Sequence, residues 1–184
     1  MNGKLDQQTI LRALERLSDL LRQRDLLGEI CLLGGAVMVL AFKARVATRD
    51  VDAIFHPAQV IRELASVVQS EMDLPEHWLN DGAKGFVSAR HQVQAGDLPQ
   101  FENLRLAAPT AEYMLAMKCI AARVAEGPDE PGDLPDIEFL VRRLGLKSPD
   151  EVLAVVAQFY PDSRVPARTR FVVEDIFARI EKTP

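Results

Sequence analysis

The chain has little cysteine, no long apolar run and no excess of positive charge. Each of these absences argues against a class of protein. Its two cysteines, Cys31 and Cys119, both lie within apolar segments of a 184-residue chain. We therefore predict free, buried thiols and a reducing compartment rather than a framework of disulfides.

Signals for membrane insertion and secretion are also missing. No apolar stretch reaches the ~18 residues expected of a membrane-spanning helix. The N-terminus is polar and has no apolar signal core. These absences predict a cytoplasmic protein without membrane contact. The net charge of −5 argues against nucleic-acid binding over the whole surface, although a local basic patch is compatible with it.

What remains is an ordinary globular composition with 48% hydrophobic and 27% charged residues. Apolar periodicity predicts an N-terminal helix over 5–27, with Asp6 as its N-cap and Gly28 as its stop. Strands and helices then alternate, which is typical of an α/β arrangement. The predicted order is a strand at 29–33, a helix at 35–44, a strand at 51–55 and a helix at 58–70.

The second half of the chain is predicted to be mainly helical. Between 71 and 103 the pattern is weak, with a short helix that runs into a loop over 74–82 and a strand or extended connector at 84–88. A strand at 104–107 is followed by helices at 110–125, 134–144, 149–160 and 168–180. We predict an α+β fold with an α/β-like core, a small mixed sheet flanked by helices. Residues 1–108 would form that core and 109–184 a helical region packed on it as one compact unit.

One stretch combines two features that carry chemistry. Gly34-Gly35 ends an apolar strand where the backbone can turn sharply and approach a ligand closely. Asp50 and Asp52 are two residues apart in a strand, so both carboxylates project from one face. Clustered carboxylates suit a hard cation such as Mg²⁺ or Mn²⁺, which binds one or two of them together with substrate phosphates. A helix beginning at Gly35 would also present free N–H groups to an anion.

This pattern resembles the signature of the nucleotidyltransferase superfamily, which has a DNA-polymerase-β-like fold. The closer resemblance is to bacterial single-domain members related to the abortive-infection, type IV toxin nucleotidyltransferases. It implies that Gly34 and Gly35 approach nucleotide phosphates and that Asp50 and Asp52 hold the catalytic Mg²⁺ or Mn²⁺. The alternative is a tight turn that serves packing alone.

Three basic residues, Lys43, Arg45 and Arg49, surround the loop before the aspartates. They are either a solvated loop or a group that attracts phosphate at the mouth of the site, where arginine can bind in a bidentate manner. We include Arg49 among the predicted nucleotide-binding residues. Thr48 is a further candidate, because its hydroxyl could contact the nucleotide.

A second segment extends the resemblance. In the abortive-infection-type proteins, a lysine on one helix and an aspartate at the head of the next lie near the nucleotide. The matching positions are Lys118 for nucleotide binding, and Asp133 or Asp136 as accessory residues. Without the resemblance, Lys118 reads as a side chain that reaches past an apolar face to water. Asp136 reads as a charge favoured by the helix dipole.

The resemblance also implies a third carboxylate on a later strand of the core. Its role would be to hold or activate the attacking hydroxyl group. Asp81 and Glu102 are the nearest candidates, and both lie in segments with loop character. For each of them, ordinary surface charge is the alternative.

The implied function is a metal-dependent nucleotidyltransferase that moves a nucleoside monophosphate from a nucleoside triphosphate to an acceptor hydroxyl. The acceptor would be a protein, an RNA such as tRNA, or a small molecule, and an antitoxin-like partner protein is a further implication. The first alternative is a catalytically inactive module of the same fold that binds nucleotide or regulates. The second is a purely structural α/β protein whose motif is a chance match.

Overall fold

The computed structural model describes residues 3–122 and 132–180. These residues form helices and a mixed sheet, which confirms the α+β class predicted from the sequence. The chain divides into two compact units. Unit 1 comprises Met1–Gly85 and Val93–Pro109, and unit 2 comprises Phe86–Gln92 and Thr110–Pro184.

Unit 1 contains all the strands of the described chain and three helices. Its helices are α1 (Gln7–Gln23), α2 (Gly34–Leu40) and α3 (Ala58–Met72). Its strands are β1 (Leu5–Asp6), β2 (Gly28–Leu32), β3 (Ala47–Thr48), β4 (Val51–His56), β5 (Leu79–Asn80), β6 (Val93–Gln94) and β7 (Leu104–Pro109).

The five-stranded sheet has the order β5-β4-β2-β7-β6, and β1 and β3 form a separate pair. The central strand β2 is antiparallel to β4 and parallel to β7. One face of the sheet packs on α1 and α3, since a side chain added at Gly28 would meet Leu21 and Ile61 of those helices. Asp52 and Ile54 of β4 are half-buried and alternate with fully buried neighbours. They therefore lie on the other face.

The N-terminal helix is shorter than predicted at both ends. Asp6 is its N-cap as expected, with the side chain accepting a hydrogen bond of 2.8 Å from the N–H of Thr9. The helix ends at Gln23, because Asp25 takes a left-handed conformation with φ of 54°. Gly28 was predicted to stop the helix and instead begins β2.

The structure corrects three further element predictions. The helix predicted at 35–44 is α2, which ends at Leu40. Beyond it, Lys43 has a left-handed conformation with φ of 53°. The chain folds back there, so that the N–H of Ala44 donates a hydrogen bond to Met38 O. The predicted helix at 74–82 is a turn leading into β5. The predicted extended segment at 84–88 overlaps a short 3-10 helix, Gly82–Phe86.

Unit 2 is helical, as the sequence predicts. Its helices are α4 (Ala111–Ala121), α5 (Leu134–Leu144), α6 (Pro149–Phe159) and α7 (Arg168–Ile180). Thr110 and Ser148 cap α4 and α6 through their side chains, which satisfies N–H groups that a helix start leaves open. The helix α4 packs against the other three. The predicted continuation of that helix over 123–125 and the acidic loop up to 131 lie outside the described residues.

No helix in the part of the chain that the structure describes is both long enough and apolar enough to cross a membrane.

The two cysteines are free, as predicted. Cys119 is buried, whereas Cys31 is only half-buried, so the prediction of two buried thiols holds for one of them. Burial raises the pKa of the Cys31 thiol to about 11 and that of Cys119 to about 12. At pH 8 the reactive thiolate is then scarce in the folded protein.

We therefore expect both thiols to react slowly with a thiol-specific reagent at pH 8. The folded protein should react at least about a hundredfold more slowly than the urea-unfolded chain, whose thiols have ordinary pKa values. Colorimetric thiol titration measures the rates, and a Cys31→Ser variant assigns them to the two residues. Rapid, stoichiometric labelling of the folded protein would contradict this expectation.

Candidate functional site

The two aspartates lie where the sequence predicts, at the beginning of β4. Asp50 directly precedes the strand and Asp52 is its second residue. Both are half-buried, while Val51 and Ala53 between and after them are fully buried. Because side chains alternate along a strand, the Asp52 carboxylate leaves the face of the sheet opposite to that of Val51 and Ala53.

Gly34 lies directly against one of these carboxylates. It has φ of +56°, a left-handed conformation that favours glycine. A Cβ atom at this position would be only 2.8 Å from Oδ2 of Asp52. The turn is further held by a backbone hydrogen bond of 2.8 Å from Leu33 N–H to Asp52 O. Glycine at this position therefore serves two purposes, since it permits the turn and leaves room for the Asp52 carboxylate.

Gly35 lies against Thr48, the second residue of β3. A Cβ atom at Gly35 would overlap the Thr48 hydroxyl and lie 3.1 Å from Thr48 Cβ. Thr48 is buried and pairs with Leu5 of β1, so the N-terminal strand holds it in place. The structure thus brings Thr48 and the glycine turn together, although burial leaves the threonine hydroxyl little access to a nucleotide.

The basic residues lie in the loop between α2 and Asp50. Lys43 and Arg49 are exposed, and Arg45 is half-buried. Arg45 lies beside the turn, because its Nη1 would lie 3.8 Å from a Cβ atom at Gly35. Positive charge from Arg45 is therefore present beside the glycine turn, and the predicted role of Arg49 stays a prediction.

The sequence gives no indication of one member of the site, Asn80. This residue lies in β5, which pairs in parallel with β4, and its register partner is Asp52. Its Nδ2 donates a hydrogen bond of 3.3 Å to Oδ2 of Asp50. Its Oδ1 accepts one of 2.8 Å from the N–H of Gly82. Asn80 reaches the aspartates only because two strands that are far apart in the chain pair with each other. No local sequence pattern indicates that pairing.

Neither predicted third carboxylate joins the aspartates. Asp81 follows Asn80, and its Oδ2 binds Arg62 at 2.6 Å and also Lys84. Lys84 and then Arg62 lower the pKa of the Asp81 carboxyl group to about 2. Glu102 is largely exposed and forms a 3.7 Å ion pair with Arg22. Both residues are therefore ordinary charged residues that form ion pairs, as the alternative interpretation of the sequence has it.

The donor atoms of the site fit a hard divalent cation. The oxygens of Asp50 and Asp52 are the kind of ligand that Mg²⁺ and Mn²⁺ prefer, and Mg²⁺ commonly uses only one or two carboxylates with substrate phosphates. Gly34 and Gly82 have no side chains, which leaves space beside both oxygens of the Asp52 carboxylate. A Cβ atom at Gly34 would be 2.8 Å from Oδ2, and one at Gly82 would be 3.8 Å from Oδ1. Among residues 3–122 and 132–180, no group of three or more His, Cys, Asp and Glu side chains is placed to hold a metal.

The remaining predicted residues form a buried ionic cluster within unit 2. Nζ of Lys118 in α4 donates a 2.6 Å hydrogen bond to Oδ1 of Asp133 and lies 2.8 Å from Oδ2 of Asp136. All three are at least nine-tenths buried, with exposures of 6%, 3% and 2% respectively. Lys118 therefore does not extend to water. Its predicted role in nucleotide binding stays a prediction, and the structure shows it as the counterion of two carboxylates.

Known proteins provide no direct comparison. The chain matches no family model, no curated protein and no solved structure. A function must therefore be argued from the arrangement in unit 1 and from the motif it displays. That arrangement gathers the glycine turn, Thr48, the two aspartates and Asn80 at one end of the sheet.

Proposed function

We propose that unit 1 binds a nucleoside triphosphate with a divalent cation and transfers its nucleoside monophosphate to an acceptor hydroxyl group. The observation that carries the proposal is the contact between Gly34 and Asp52, where a Cβ atom would be 2.8 Å from the carboxylate. A backbone turn without side chains beside a carboxylate pair provides close approach for phosphates and ligands for their cation.

Each residue has a definite task in this proposal. Asp50 and Asp52 would hold Mg²⁺ or Mn²⁺, which when bound neutralises phosphate charge and orients the substrate. The backbone at Gly34 and Gly35 would approach the distal phosphates. We assign this contact with the phosphates to the backbone of the turn and not to a helix dipole, because α2 has only seven residues. Arg45 and Arg49 would add positive charge beside the phosphates.

The proposed reaction is an in-line displacement at the α-phosphorus. The acceptor oxygen forms a bond to this phosphorus while the bond to the β-phosphate oxygen breaks, and pyrophosphate leaves. The proton of the acceptor hydroxyl passes to water. The acceptor belongs to a protein, an RNA such as tRNA, or a small molecule, and the resemblance to toxin nucleotidyltransferases also suggests an antitoxin-like partner.

A specific observation favours a second candidate function. Asn80, an amide, is the register partner of Asp52 in the neighbouring strand, and neither Asp81 nor Glu102 supplies a third carboxylate to the pair. Without a carboxylate to activate the acceptor, unit 1 would bind nucleotide without transferring it. In that case the protein is a nucleotide-binding or regulatory module.

Calorimetry with the four nucleoside triphosphates, with and without Mg²⁺, tests the proposal. We expect wild-type protein to bind at least one of them in a Mg²⁺-dependent manner. We expect a D50N/D52N variant to lose that dependence while its melting temperature stays close to the wild-type value. Asp81→Asn is the matched control, because it removes one carboxylate that Arg62 and Lys84 already engage. Binding that is unchanged in the double variant would refute the metal-site assignment.

The two candidate functions are separated by following the α-phosphate. Protein is incubated with Mg²⁺ and a triphosphate labelled at its α-phosphorus, together with a cell extract. Label that enters protein, RNA or a small molecule in wild type, but not with Asp52→Asn, supports the transferase. Mg²⁺-dependent binding without transfer to any fraction supports the binding module.

A further inference from the structure

Asn80 occupies the position from which a third ligand would reach the aspartate pair. Its register partner across the parallel β4–β5 pairing is Asp52. Residues paired in this way on neighbouring strands project from the same face of a sheet, about 4.8 Å apart along the hydrogen-bonding direction. The amide and the Asp52 carboxylate therefore share one face, and Asn80 also contacts Asp50.

Two hydrogen bonds determine the orientation of the Asn80 amide. The N–H of Gly82 requires an acceptor, and Oδ1 of Asn80 provides it at 2.8 Å. This assigns the NH₂ group to the other side, where Nδ2 lies 3.3 Å from Oδ2 of Asp50. The donor thus points to the carboxylate, and an aspartate at position 80 would have no proton to offer Asp50 near neutral pH.

An amide at position 80 also limits the negative charge of the site. Asp50 and Asp52 contribute two negative charges, and Asn80 contributes none. One divalent cation balances the two carboxylates, and the positive charge of Arg45 beside the turn further disfavours a second cation. The affinity of a carboxylate site for a cation depends on how many charged ligands it offers.

We infer that Asn80 is the third side chain of the site, a positioning residue that orients Asp50 and adds no third negative charge, so that the site takes one divalent cation. This inference rests on the proposed metal site at Asp50 and Asp52. It adds a residue to that site and predicts its stoichiometry.

Titration of the protein with Mn²⁺ alone, followed by electron paramagnetic resonance, tests the inference without activity. Wild type is expected to bind one Mn²⁺ per chain. Asn80→Asp is expected to bind a second Mn²⁺, or to bind the first about tenfold more tightly, because a carboxylate ligand is added. Asn80→Ala is expected to keep one Mn²⁺ and bind it about tenfold more weakly, because Asp50 loses its donor.

Two controls separate ligation from folding and from general charge. Melting temperatures show whether each variant folds, and Asn80→Asp keeps an acceptor for Gly82 where Asn80→Ala does not. Asp81→Asn changes the charge of the adjacent residue and is expected to leave Mn²⁺ affinity within about twofold of wild type, since exposed charges are screened.

The outcomes distinguish the inference from the function it rests on. If wild type binds Mn²⁺ through Asp52 but both Asn80 variants bind it identically to wild type, the inference is overturned and the metal site stands. If wild type binds none while Asn80→Asp does, the proposed wild-type metal site fails, and the inferred stoichiometry of one cation is overturned with it. If none of the proteins binds Mn²⁺, both are overturned.

Discussion

Replacing Lys118 by alanine is expected to lower the free energy of unfolding by about 3–5 kcal/mol. The ammonium group is the counterion of Asp133 and Asp136, at 2.6 Å and 2.8 Å. All three side chains are buried. Removing the ammonium group takes from two buried carboxylates a cation that both contact, and removing one partner of a buried ion pair is strongly unfavourable.

Urea denaturation followed by circular dichroism measures this effect. Lys147→Ala is the matched control, because Lys147 is exposed, and we expect its variant to stay within about 0.5 kcal/mol of wild type. A triple variant, K118M/D133N/D136N, removes all three charges and should recover much of the lost stability. A loss below about 1 kcal/mol in Lys118→Ala would show that the cluster does not need its lysine.

Replacing Gly34 by alanine is expected to lower the free energy of unfolding by about 2–4 kcal/mol. A non-glycine residue in the left-handed conformation costs about 1 kcal/mol. The new methyl group would also lie 2.8 Å from Asp52 Oδ2, and overpacking of this kind costs roughly 1–3 kcal/mol. Because the carboxylate must move, we also expect Mg²⁺-dependent nucleotide binding to be lost.

Gly96 offers a matched control for this experiment. It has φ of +53°, close to the +56° of Gly34, but nothing lies within 4 Å of an added Cβ atom. Gly96→Ala should therefore lose only the conformational part, about 1 kcal/mol. The difference between the two variants, measured by urea denaturation, isolates the contact with Asp52. Equal losses would show that this contact is unimportant for stability.

The parts of the site that were predictable are those governed by local periodicity. Asp52 lies on the half-buried face of β4 because side chains alternate along a strand, and Gly34 turns the chain because only glycine adopts its conformation without cost. The cap at Asp6 was likewise predicted from residue type alone. These features require knowledge of only a few neighbouring residues.

The parts that were not predictable depend on long-range contacts. The apolar pattern continues to Ala44, yet α2 ends at Leu40 because the chain folds back to bond Met38 O. Asn80 reaches the aspartates through a parallel strand pair, and the burial of Lys118 depends on a second helix that carries its counterions. Side-chain periodicity describes an isolated segment, so it cannot indicate which distant segment pairs with it.

The central position of β2 has a consequence for synthesis of the chain. Its backbone pairs with β4 on one side and, on the other, with residues 104–107 of β7. At about 5–20 residues per second, a ribosome would deliver β7 several seconds after Asp52. A nascent chain that stops short of residue 104 therefore carries the glycine turn and both aspartates on an unfinished sheet. One edge of β2 would then be open to pairing with other chains, which is the usual origin of strand-mediated aggregation.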